Sequence, residues 1–342
     1  METNVITKRY ESLDGVRAFA ALGIVLMHVL LNGGYKIGLF IGDTVIASLG
    51  ELVYLFMIVS AFSMCCGYFD KVTGGKITPS DFYKKRFSKI FPFFALMCVL
   101  DFAAAPSLNT AAELFADLTL CFGLLPNANI SVIGVGWFVG LIFVFYITFP
   151  FFCFLIKTKK RALGVFALCV ALHLLCVYYF FDAKHTVNFD YRSNIIYASP
   201  YFLAGGIIYV YRDFVTKWAQ KLRIPLFVLC VGAAALFLWQ GSELWTALPL
   251  FGLITVYAVG NDTKILHNKV TTFFSSISME IYLCHMMFYK LLEKAGLAHL
   301  AGNGIAAYII TVVITFALAT AFSFAVKKVF SLIGSKYLCK KN

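Results

Sequence analysis

Apolar residues run through this chain in long blocks, broken by short polar and basic stretches. The blocks fall at about residues 16–34, 44–66, 87–105, 137–156, 162–181, 195–211, 224–240, 243–260, 271–292 and 303–326. An α-helix needs roughly 20 apolar residues to cross a bilayer. The pattern therefore predicts an all-α, polytopic integral membrane protein with about ten transmembrane helices. One membrane domain is expected over residues 1–342, without a soluble module. The stretch 110–125 is apolar but short. It carries Glu113 and Asp117 and lies between Pro106 and Pro126, so it reads as a re-entrant or interfacial helix.

Charge sets the expected orientation. With the N-terminus inside, all but five of the 29 Lys and Arg fall on inner segments; the exceptions are Lys36, Lys184, Arg192, Lys290 and Lys294. Basic residues favour the cytoplasmic side, so both termini are expected there. A full span at 110–125 would send Lys157, Lys159, Lys160 and Arg161 outside. Pro79 opens the basic stretch TPSDFYKKRFSKIFP, which reads as a helix start leading into the third span.

Composition narrows the class further. The chain is 61% hydrophobic and 13% charged, with mean hydropathy +0.84, too apolar for a soluble protein of its length. Its 36 Phe and 18 Tyr suit lipid-facing and interfacial sites. The net charge of +12 sits in short inter-span clusters with no nucleic-acid motif, so no nucleic acid partner is expected. Most of the ten Cys lie inside apolar runs, where Cys acts as a small hydrophobe. None has zinc-site spacing, and no metal is expected. The first run reads as a retained anchor. No repeat points to an inverted-repeat transporter.

Polar residues inside the apolar blocks are the candidate chemistry, because an ionisable group in a bilayer is costly to keep. In RYESLDGVRAFAALGIVLMHV, Asp14 and Arg17 stand at the mouth of the first span and His28 deep within it. Arg17 and His28 are close to a whole number of turns apart, about 16 Å along one helix face. A neutral histidine can take a proton near pH 7 and return it; the alternative is a histidine that packs across the bundle. In SSISMEIYLCHMMFY, Ser278, Tyr282 and His285 share one stripe and Glu280 lies off it. His285 falls at a depth similar to His28. On the inner loop, Arg86 and Lys89 are one turn apart and suit phosphate binding; the alternative is a topological anchor.

These stretches together resemble the membrane-bound acyltransferase-3 family, which includes bacterial glycan and peptidoglycan O-acetyltransferases. That family opens with Arg, then Leu-Asp-Gly-Leu-Arg-Gly, then an apolar stretch ending in His. The resemblance implies an essential histidine at His28, an Asp at Asp14, and arginines at Arg9 and Arg17. It implies a donor-binding basic pair at Arg86 and Lys89, and a late Ser-Tyr-His set at Ser278, Tyr282 and His285. Three departures accompany it. Ala61 in LFMIVSAF stands where the family has Gly, and Lys89 replaces a second Arg. In WFVGLIFVFYITFP, Trp137, Phe145, Tyr146 and Pro150 remain but Ile142 occupies the family's Glu position. Glu280 is a candidate substitute carboxylate.

The resemblance implies an O-acetyltransferase of the bacterial cytoplasmic membrane. Acetyl-CoA would be its donor co-substrate, a surface, exported or lipid-linked glycan its acceptor, and membrane lipids its surroundings. His28, Asp14, His285 and Glu280 are the catalytic candidates; Arg17, Arg86 and Lys89 are the donor-binding ones. Asp182, His185, Asp190 and Arg192 could meet sugar hydroxyls from the outer loop. A secondary transporter of a small metabolite and a non-catalytic membrane sensor or scaffold are the competing readings.

Overall fold

In the computed structural model the described residues are 9–38, 40–125, 132–180, 182, 184, 185 and 191–339. Among them the secondary structure is entirely helical. The α-helices in chain order are α1 (Ser12–Gly33), α2 (Leu52–Met64), α3 (Asp70–Thr73), α4 (Pro79–Ala104), α5 (Leu108–Thr119), α6 (Trp137–Leu155) and α7 (Lys159–Leu175). They continue with α8 (Ile195–Val210), α9 (Arg212–Lys221), α10 (Arg223–Gln240), α11 (Leu244–Gly260), α12 (Lys269–Ser276), α13 (Ser278–Lys294) and α14 (Ile305–Cys339). A tight 3-10 turn before α2 and wider π-type turns on both sides extend it into one stretch, Phe40–Thr73.

Among the described residues, seven helical stretches are long and apolar enough to cross a membrane: Ser12–Gly33, Phe40–Thr73, Pro79–Ala104, Trp137–Leu155, Lys159–Phe180, Arg223–Gln240 and Ile305–Ile333. The chain is thus polytopic, but three of the ten apolar runs take another form. α8 and α11 have 16 and 17 residues, about 24–26 Å of helix, against a hydrocarbon core of about 30 Å. Packing accounts for this: α8 is buried at most positions against α2 and α7, so protein rather than lipid surrounds it. The run at 271–292 is broken. Ile277 leaves helical geometry (φ −123°, ψ 14°) between α12 and α13, where Ser275, Ser276 and Ser278 cluster. Ser side chains compete for backbone partners, and Ser278 Oγ does donate to the Ser275 carbonyl.

Close helix contacts hold the bundle. Gly15 lies against the Leu266 backbone, and Gly205 of α8 against the Ile58 carbonyl and Ala61 of α2, leaving no room for a Cβ at either site. Ala61 therefore faces a partner helix that has yielded its own side chain. The stretch after Pro106 forms α5, a short helix with a Ser107–Thr110 capping box. Its Asp117 is buried beside Cys98 of α4.

α1 and α12–α13 run parallel: Asp14 meets Ser275 at one end and His28 meets His285 further along. α14 runs back beside them. Tyr308 near its start donates to the Leu26 carbonyl, and Lys327 near its end reaches Glu280. This three-way register positions the site.

Candidate active site

At the basic end of the bundle, where α1 begins, Asp14 organises three neighbours. It accepts from Arg9 at 2.7 Å, from Arg17 at 3.2 Å and from Ser275 Oγ at 2.9 Å. That hydrogen bond and charge hold the Arg9 guanidinium above its usual pKa. Lying in the first turn of α1, Asp14 also meets the positive end of the helix dipole. Arg17 donates a second time, to Ser63 Oγ on α2 at 2.5 Å, which ties its head between α1 and α2.

A cavity of about 570 Å³ opens beside this cluster. Its cationic lining comes from Arg9, Arg17, Arg86, Lys89 and Lys327, and its carboxylates are Asp14 and Glu280. Arg86 stacks on Tyr68, with 4.5 Å from the guanidinium carbon to the ring centroid, and reaches Tyr146 at 5.8 Å. Its Nε is buried without a hydrogen-bond partner among the described residues. Tyr146 in turn meets Ser60 at 3.2 Å. Ile142 lines the same cavity as Glu280.

Glu280 pairs with Lys327 of α14 at 3.3 Å. The Lys327 ammonium also donates to the Ser276 carbonyl, filling an acceptor that the α12–α13 break frees. By sequence alone Lys327 is only one of the inner-side charges. Nothing in its local sequence marks it, since only the return of α14 along α13 brings it to the cavity.

The far wall of the cavity is Tyr282 and Phe138, whose rings meet edge to face at 5.6 Å. The Tyr282 hydroxyl donates to the Val135 carbonyl at 2.6 Å. Behind Tyr282, at 6.1 Å between ring centroids, lies the fully buried His285. His285 Nε2 is 3.0 Å from Nδ1 of the half-buried His28. Neither histidine lines the cavity.

The sequence candidates thus form two groups. Asp14, Arg17, Arg86, Lys89 and Glu280 surround the cavity; His28 and His285 touch each other beyond its wall. In the outer loop, Asp182 pairs with His185 at 2.8 Å, which holds the Asp182 carboxyl below its usual pKa. Arg192 pairs with Glu51 at 2.7 Å and lies over Trp137 at 5.8 Å. Asp190 lies outside the described residues. Separately, Glu11, Asp262 and His267 bring three possible ligand atoms within 4.8 Å of one another at the partly exposed basic rim, a grouping able to take a divalent cation.

The family model described as an acyltransferase domain, of the acyltransferase-3 type, matches residues 10–326. The chain belongs to this membrane acyltransferase family. Neither the curated proteins nor the solved structures contain a match. The acyltransferase match runs from Tyr10, beside the Arg9–Asp14 pair, to Val326, one residue short of Lys327. It therefore spans both histidines and most of the cavity lining.

Proposed function

We propose that this acyltransferase moves acetyl from cytoplasmic acetyl-CoA to a hydroxyl of a surface, exported or lipid-linked glycan. The observation that carries the reading is the cavity at the basic end. Five cations line it against two carboxylates, which suits the phosphates of a CoA donor, and it stops one aromatic side chain short of a histidine pair. The reading takes the N-terminus as cytoplasmic, from the distribution of Lys and Arg. It takes the membrane domain as ten spans, with α8, α11 and the broken α12–α13 run joining the seven longer helices.

Arg86, Lys89, Arg17 and Lys327 hold the donor's phosphates, and the acetyl thioester points toward Tyr282 and Phe138. His28 accepts the proton of the acceptor hydroxyl, or carries the acetyl group before passing it on. In the direct route the hydroxyl oxygen bonds to the acetyl carbon, the carbon–sulfur bond breaks, and the thiolate takes up a proton. Asp14 acts at one remove, by fixing Arg9 and Arg17. Glu280 sits on the donor side, paired with Lys327.

The test is acetyl transfer in membranes carrying the native chain or His28→Ala, with labelled acetyl-CoA on the cytoplasmic side and glycan and lipid-linked sugar fractions as acceptors. Label should enter the glycan with the native chain and fall about 10²–10⁴-fold with His28→Ala at equal protein level, the range of general-base effects. Equal labelling by both would remove His28 from the chemistry. Ile142 in the cavity wall favours one competing reading, a non-catalytic scaffold, which predicts CoA binding without any transfer.

A further inference from the structure

His285 offers both ring nitrogens to named partners. Nδ1 lies 3.2 Å from the Ile281 carbonyl oxygen and Nε2 lies 3.0 Å from Nδ1 of His28. A carbonyl oxygen only accepts, so Nδ1 of His285 must carry hydrogen. A neutral imidazole has a single N–H, which leaves Nε2 of His285 as a bare lone pair. Nδ1 of His28 must then be the donor between the rings, and Nε2 of His28 is left unprotonated.

We infer that the Ile281 carbonyl and His285 fix the tautomer of His28, leaving its Nε2 as the reacting atom. The backbone of α13 thereby dictates, through one intervening ring, which nitrogen of α1 meets substrate. The burial of His285 supports this, since no water reaches Nδ1 to compete with the carbonyl. The ring planes are tilted by 40° at a centroid separation of 5.0 Å, an arrangement of an in-line N–H···N contact and not a stack. His285 is a positioning residue, as the partner of a catalytic histidine is elsewhere.

The role rests on the proposed transfer reaction; the tautomer does not. When Nε2 of His28 takes the hydroxyl proton, an O–H bond breaks and an N–H bond forms. Nδ1–H keeps donating to His285, so the imidazolium stays hydrogen-bonded. The hydroxyl oxygen attacks the acetyl carbon, the thiolate leaves, and the proton on Nε2 passes to sulfur, restoring the starting tautomer. If acetyl is instead carried on the histidine, the same geometry puts it on Nε2.

The experiment is nitrogen-15 NMR of the full chain in lipid nanodiscs, with labelled histidine and the His28 signals assigned by comparison with His28→Gln. The expected native spectrum shows His28 with hydrogen on Nδ1 and none on Nε2; hydrogen on Nε2 of His28 would overturn the inference. In His285→Phe the preference should weaken, the Ile24 backbone one turn back on α1 being the ring's other partner, and transfer should fall with it, by up to about 10²–10⁴-fold, the scale seen when a triad histidine takes the wrong tautomer. His285→Gln restores an acceptor oxygen near the position of Nε2 and should keep transfer within about tenfold of native. A spectrum with the expected tautomer, in a chain that transfers nothing, would sink the proposed reaction and leave the tautomer standing. The native spectrum, assigned through His28→Gln, decides the tautomer even if the His285 variants do not fold.

Discussion

Replacing Lys327 with Gln should weaken CoA binding through the loss of one positive charge. The substitution removes one of five cations at the cavity, the one that offsets the Glu280 carboxylate 3.3 Å away. Lys327 is 44% exposed, so an effective dielectric of about 40 is more apt than an interior value. At about 6 Å, each charge is then worth about 1.4 kcal/mol, or about tenfold in affinity. Losing that one attraction gives about a tenfold weaker affinity. Glu280→Gln alone should tighten CoA about tenfold, and the double variant should lie near native, because the cavity keeps its net charge. Calorimetric titration of nanodisc-embedded protein with CoA and with pantetheine, which lacks the nucleotide and its phosphates, reads this directly. Pantetheine affinity should hardly move. Equal losses for both ligands would mean that Lys327 only staples the α12–α13 break through the Ser276 carbonyl, and the electrostatic argument would be refuted.

Two further outcomes concern the scaffold. Burial, helped by nearby Glu113, pushes the Asp117 carboxyl in α5 up to about 7. Its folded value lies above the unfolded one, so its contribution is present below about pH 4 and is lost as pH rises through 7, up to about 4 kcal/mol in all. Thermal unfolding in detergent should accordingly show the native chain losing stability between about pH 4 and 7 while Asp117→Asn stays level; parallel curves would contradict it. Gly205→Val forces side-chain atoms into the Ile58 carbonyl and Ala61, and should cost about 1–3 kcal/mol or more, seen as a lower melting temperature; an unchanged melting temperature would mean that α2 and α8 can separate.

How much of this was legible in the sequence differs by element. The depth of His28 and His285 could be read from their places in apolar runs, because a 1.5 Å rise per residue turns chain position into height in the bilayer. The basic end followed from the clustering of Lys and Arg, and α5 from prolines and acids that break an apolar run. Span length misled where helices are enclosed by protein: α8 and α11 do not need full bilayer length. The break at Ile277 was hidden because its compensation, the Lys327 ammonium on the Ser276 carbonyl, comes from 51 residues away. The same distance concealed Lys327 as a cavity residue. Ser63 and Ser275, which hold Arg17 and Asp14, looked like ordinary small residues in spans.

The partition made by Tyr282 and Phe138 has an electrical side. On the proposed orientation, water entering the cavity would carry the cytoplasmic potential up to those rings, so that much of the membrane voltage would fall across a thin layer between donor sulfur and histidines. On the proposed reaction the acetyl group crosses that layer without charge, and the phosphates never leave the cytoplasmic side. The acceptor's proton starts beyond the layer, while the thiolate it must neutralise is left inside. Bringing the two together moves one positive charge inward, down an inside-negative potential, a gain of up to about 2.3 kcal/mol per 100 mV. An energised membrane would thus pull acetyl transfer forward, and the two rings that part thioester from histidine would let a group transfer draw on the cell's voltage.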